Sequence, residues 1–88
     1  TQRRATSREA ALIDAQTKIL EIVKGLEIEG MGTVSKALLT DHELNKKVSG
    51  AIWGALELKT EWTSDDGCVV TMRLDKRVLK EIDQRFKI

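Results

Sequence analysis

Few residues in this chain of 88 are of types that do chemistry, and their spacing decides how far each can go. His42 is the only histidine and stands between Asp41 and Glu43. A nucleophilic triad or a zinc centre needs an imidazole with partners in reach. A histidine flanked by two acids at an expected helix start reads instead as a solvated surface group, with a pH-sensing contact as the lesser alternative. Cys68 is the single cysteine, so an intrachain disulfide and a cysteine-only zinc site are both excluded. As a nucleophile its thiol needs a base or a positive field beside it. Its alternation with Val70 and Met72 puts it on the inner face of a strand, where it packs as a small hydrophobe. Asp65-Asp66-Gly67 lacks the alternate ligands and distal glutamate of a calcium loop and reads as a turn. Glu27, Glu29, Glu57 and Glu61 fall on wet strand faces, without the burial that separates carboxyl pKa values for acid–base work. The expected sets of catalytic, metal-binding and cofactor-binding residues are therefore all empty.

Trp53 and Trp62 are more informative. A tryptophan at a strand end packs at a core edge, anchors an interface or stacks on a planar ligand. Trp62 is expected beside Leu56 and Leu58 at the edge of the core, with an oligomer contact as the next use and flavin-like stacking by Trp53 or Trp62 as a further alternative. Gly30-Met31-Gly32-Thr33 is glycine-rich, but a phosphate cradle needs a helix N-terminus directly after it, and a flexible strand segment is the better reading. Arg3, Arg4 and Arg8 make a small basic N-terminal stretch, read as a solvated end or a weak partner contact.

The elements that must hold these residues follow from periodicity. Thr6-Ser7-Arg8-Glu9 has capping-box spacing. From there to Lys24 the apolar positions Ala11, Ala15, Ile19, Ile22 and Val23 share a helical face, with Gly25 placed to end the helix in a left-handed turn. Leu26-Glu27-Ile28-Glu29 alternates as a strand, which Thr33-Val34-Ser35 is expected to resume after the glycines. Thr40 or Asp41 caps a second helix with Leu44, Val48, Ala51 and Ile52 on its buried side. Leu56 to Trp62 alternates, with Leu56, Leu58, Thr60 and Trp62 on one face. Ser64-Asp65-Asp66-Gly67 turns a hairpin into a strand from Cys68 to Leu74. Asp75 caps a last helix carrying Val78, Leu79, Ile82 and Phe86. The predicted order is α-β-α-β-β-α: an α+β fold in which a small antiparallel sheet of about three strands packs on a long N-terminal helix.

Bulk properties fit one domain spanning residues 1–88. A chain this short buries only about 60% of its unfolded surface, so its stability margin is thin and association with copies of itself would help. A hydrophobic content of 41% argues against disorder. A net charge of +1 and an aromatic content of 3% count against nucleic acid as a partner. No run approaches the roughly 18 apolar residues of a membrane span, and no signal peptide or lipidation motif is visible. The chain opens at Thr1 rather than Met and is expected to be a piece of a longer parent.

Several blocks, taken in order, carry a resemblance. They are Ala11-Leu12-Ile13-Asp14-Ala15, Val23-Lys24-Gly25-Leu26-Glu27-Ile28, Leu39-Thr40-Asp41, Val48-Ser49-Gly50, Gly54-Ala55 and Asp66-Gly67-Cys68-Val69-Val70-Thr71-Met72. Together, over about residues 5–74, they resemble the lipoprotein-20 domain of Gram-negative bacteria. That family includes small outer-membrane surface lipoproteins and flagellar proteins that build the ring or disk around the motor. The resemblance implies a non-enzymatic module of the cell envelope, in the periplasm or at the outer membrane. It would act in flagellar ring or disk assembly and motility or, as the alternative, in host contact. The expected partners are copies of the chain and other envelope or flagellar proteins, with membrane contact only through a lipid anchor on a longer parent. The chain departs from the family pattern in lacking a strand and glycine-bearing stretch before the first helix, and the upstream lipidated cysteine; the final helix, residues 75–87, lies beyond the matched part. Strand addition at a sheet edge would use Leu26, Ile28, Val34 and Trp62 as self-association residues.

Overall fold

The computed structural model describes residues 2–88. Helix α1, Gln2–Lys24, runs straight through the expected capping box at Thr6. It ends without a left-handed glycine: the amides of Gly25 and Leu26 turn back onto the carbonyls of Ile22 and Val23 at 3.1 Å each, and Gly25 is not among the positive-φ residues. Strand β1, Glu27–Ile28, pairs antiparallel with β2, Gly32–Thr33. The turn between them needs glycine, because Gly30 and Gly32 sit at φ +80° and +78°, where a side chain is disfavoured. The strand expected to resume at Thr33 stops there. Thr33 Oγ1 accepts from the Lys36 amide at 3.4 Å and caps α2, Val34–Thr40.

Asp41 joins two helices. Its own amide donates to the Ala37 carbonyl at the end of α2, and its carboxylate accepts from the Leu44 amide at 3.0 Å, opening α3, His42–Trp53. Leu44, Val48 and Ile52 line the buried face of α3, as their spacing predicts. Strand β3, Leu56–Trp62, turns through Thr63–Gly67 into β4, Cys68–Arg73, and α4, Lys76–Ile82, follows with Asp75 as its cap.

The α+β class and the long N-terminal helix are those the sequence predicts. The strands are distributed differently. In place of one sheet of about three strands there are two separate antiparallel pairs, β1–β2 and β3–β4. The reason lies at the C-terminus. Ile28 forms a bridge with Phe86, the Glu29 amide donates to the Arg85 carbonyl at 2.7 Å, and the Lys87 amide donates to the Glu27 carbonyl at 3.0 Å. The chain's own tail thus occupies the second edge of β1. Phe86, expected on the last helix, lies beyond it as the centre of this tail.

One apolar cluster closes around these elements: Val23, Ile28, Val34, Ala37, Leu44, Val48, Ile52, Leu79 and Phe86. The tail is clasped from outside. Arg85 grips Asp83 bidentately, with Nε to Oδ1 at 3.0 Å and NH2 to Oδ2 at 2.7 Å, and also reaches Asp41 Oδ2 at 3.3 Å. Lys80 Nζ donates to the carbonyls of Gln84 and Phe86 at 2.8 and 2.9 Å. Hydrogen bonding from Arg85 holds the Asp83 carboxyl well below its ordinary 3.8, at about 2. Asp41 is lowered too, chiefly by the Leu44 amide. A depressed carboxylate adds stability that is fully present above its unfolded pKa and is lost as pH falls through the folded value. Acid titration should therefore weaken the protein between about pH 4 and pH 2. Asp83→Asn should be less stable at pH 7 and lose less between those pH values, read as denaturant midpoints; parallel pH profiles for the two proteins would contradict the clasp.

Candidate functional site

The molecule measures 48 × 22 × 17 Å, long for its size. The length comes from an arm in which the N-terminal part of α1 packs along β4 of the β3–β4 hairpin. Ala15 on α1 and Val70 on β4 are the buried residues of this region that fall outside the main cluster. Ala11, Leu12, Cys68 and Met72 are half-buried, and polar clamps brace the arm from outside. Arg8 NH2 meets both Glu57 oxygens at 2.8 and 2.9 Å. Arg4 Nε reaches Asp66 Oδ1 at 3.1 Å, and its guanidinium lies 4.9 Å from the Trp62 ring centroid. The basic N-terminal stretch is thus partly engaged within the chain. Each exposed ion pair contributes only about 0–1 kcal/mol and the cation–π contact about 0.5–1, so the clamps orient the helix more than they stabilise it.

Register decides what the hairpin presents. The pairs run Leu56 with Arg73, Glu57 with Met72, Lys59 with Thr71, Thr60 with Val70, Glu61 with Val69 and Trp62 with Cys68. Leu58 is the extra residue of a bulge between Glu57 and Lys59, which switches the strand's alternation. The expected face of Leu56, Leu58, Thr60 and Trp62 is therefore split. Thr60 and Trp62 share the α1 side with Val70 and Cys68, whereas Leu56, Leu58 and Val69 are 62%, 54% and 53% exposed. Six of the seven β3 residues are exposed, with Thr60 alone half-buried, and β3 has no strand partner besides β4 among the described residues. The loop is tightly built: Asp66 takes φ +62°, Thr63 donates to the Asp65 carboxylate, and a Cβ on Gly67 would strike the Thr63 hydroxyl. The Thr63 hydrogen bond lowers the Asp65 pKa.

The four expected self-association residues do not come together on this surface. Ile28 and Val34 are 1% and 0% exposed and have no side-chain surface to offer a second chain. Leu26 packs half-buried against the same cluster, and the β1 edge they were to present is filled by the chain's tail. Trp62, 39% exposed, is the one of the four that stands on an open strand. The exposed apolar residues Leu56, Leu58 and Val69 and the clamp residues Arg4, Arg8 and Glu57 escape a reading by alternation, because the bulge that turns Leu58 outward leaves no mark in an unbroken apolar–polar pattern.

The remaining chemistry-bearing residues are dispersed. His42 is exposed on the first turn of α3 and Cys68 is half-buried. Among the described residues no three His, Cys, Asp or Glu side chains gather where they could hold a metal ion. Glu57 and Glu61 face Arg8 and Lys59, and Glu27 faces Lys87. Gly30 to Thr33 does lead into a helix, contrary to expectation, but the Thr33 side chain accepts from the Lys36 amide and the Val34 amide donates to the Leu26 carbonyl. Trp53 is 76% exposed and lines a cleft of about 180 Å³ with Ile13, Leu20 and Ile52; Trp62 lies elsewhere, with Arg4 over its ring, so the two indoles do not form one stacking site. A depression of about 480 Å³ lies between α3, β3 and α4 and is lined mainly by Gly50, Ala51, Gly54, Ala55 and Leu56, with Arg73 and Asp75 as its charged residues. No described helix is long and apolar enough to cross a membrane. No family model, curated protein or solved structure matches the chain.

Proposed function

We propose that this chain is a non-catalytic, self-associating structural module of the Gram-negative cell envelope, with the β3–β4 arm as its contact element. The observation that carries the reading is the uncovered state of β3. A two-stranded ribbon is marginally stable alone and gains stability from further strands or a covering layer. Here one helix covers one face of the ribbon, while Leu56, Leu58 and Val69 stand on the other in water. The lipoprotein-20 resemblance supplies the compartment, periplasm or outer membrane, and favours flagellar ring or disk assembly over host contact. The bonds of such an assembly are backbone hydrogen bonds at a strand edge and burial of leucine and tryptophan. Light scattering over a dilution series, on this chain and on any longer parent, should give a mass that rises with concentration above the 9.9 kDa of one copy. A strict monomer at millimolar concentration would remove the reading. Deleting the gene separates the two roles, since a ring or disk part is needed for swimming and a host-contact protein is not.

A further inference from the structure

We infer that two copies pair β3 against β3, antiparallel, about a twofold axis through Thr60, to make one four-stranded sheet ordered β4-β3-β3-β4. This inference rests on the self-association reading above and gives it a geometry.

Two features select β3 over β4 as the pairing edge. The first is cover: every β3 residue but Thr60 is exposed, while β4 buries Val70 and half-buries Cys68 and Met72. The second is the helix. α1 packs along β4, and packed helix axes stand about 8–10 Å apart. Joining two β4 edges would set those strands at about 4.8 Å, bringing their helices into collision. Joining two β3 edges leaves the β4 strands three spacings apart, about 14 Å, and both helices fit on one face of the sheet.

Charge then selects the register. A twofold axis normal to the sheet pairs residues of the same face, so the axis passes through one residue that meets its own copy. The bulge at Leu58 confines the regular edge to Lys59–Trp62. An axis at Lys59 sets ammonium against ammonium, and one at Glu61 sets carboxylate against carboxylate; like charges directly opposite are destabilising. An axis at Thr60 sets Lys59 opposite Glu61 of the partner subunit, twice, with threonine meeting threonine between them. Lys59 and Glu61 already stand side by side, Nζ to Oε1 at 3.2 Å with both side chains more than half exposed. The pairing closes them into a square of alternating charge.

The test is charge reversal read by sedimentation equilibrium. Lys59→Glu and Glu61→Lys, each alone, turn both cross-subunit pairs repulsive and should raise the dimer dissociation constant about tenfold. Both sites are exposed, so each variant keeps the fold, which circular dichroism checks. Mixing the two variants in equal amounts should restore dimer, because one subunit is then acidic at both positions and the other basic. A wild-type protein that associates with an affinity indifferent to both reversals would overturn the β3 register while leaving self-association standing. A wild-type monomer at millimolar concentration would overturn both.

Discussion

Phe86→Ala will cost about 3–5 kcal/mol of stability, a large share of what a domain of this size possesses at about 0.05–0.15 kcal/mol per residue. The side chain is fully buried, at 0% exposure, and is the largest in the cluster. It fills the space between β1 and α4 from a segment that is neither helix nor named strand. Its removal leaves a cavity and also loosens the bridge to Ile28 that seals the β1 edge. Lys87→Ala, at the next residue of the same tail but exposed, should cost under about 0.5 kcal/mol. Urea denaturation of the two variants makes the comparison. Similar midpoints would mean the tail beyond α4 is an appendage, and a chain ending at Ile82 would then fold as well.

What alternation and helical spacing predict is found where one periodicity acts over a long run. Leu44, Val48 and Ile52 sit on one face of α3 because nothing competes with the 3.6-residue repeat there. Asp41 and Asp75 cap helices because a short acid has few better uses beside free amides. Failures occur where a local signal is ambiguous. Phe86 follows Ile82 at helical spacing, so its place in the tail depends on Asp83 ending α4 and Arg85 fastening it, a tertiary arrangement. Val34 and Ser35 suit a strand by type, yet they begin α2 once Thr33 turns to cap it. The same ambiguity separates the expected contact residues from the open surface. Leu26, Ile28 and Val34 are apolar whether they meet a partner or fill a core, and only the position of the tail decides it. The charges of β3 are legible as a wet face, but which edge they border is not.

Val70→Asp should melt the arm and leave the rest folded. Val70 is the one buried residue of β4, at 8% exposure, and Ala15 is the buried residue in the middle of α1, also at 8%. Beyond half-buried Leu12, Cys68 and Met72, the links between α1 and the hairpin are exposed ion pairs and a cation–π contact, individually worth about 1 kcal/mol or less. Losing the valine removes about 1.5–3 kcal/mol of burial and puts an unpaired carboxylate against the helix. A ribbon held on one side by so little does not survive that change. The main cluster draws nothing from Val70 and should persist. Hydrogen exchange is the discriminating measurement: amides of β3, β4 and the N-terminal part of α1 should exchange at least about tenfold faster, while those of α3 and of the strand pair at Phe86 keep their protection. Uniform loss across the chain would mean that arm and core are one cooperative unit. Selective loss accompanied by loss of self-association would tie assembly to the arm, because a second copy can add to β3 only while β4 and α1 hold that strand flat and in register.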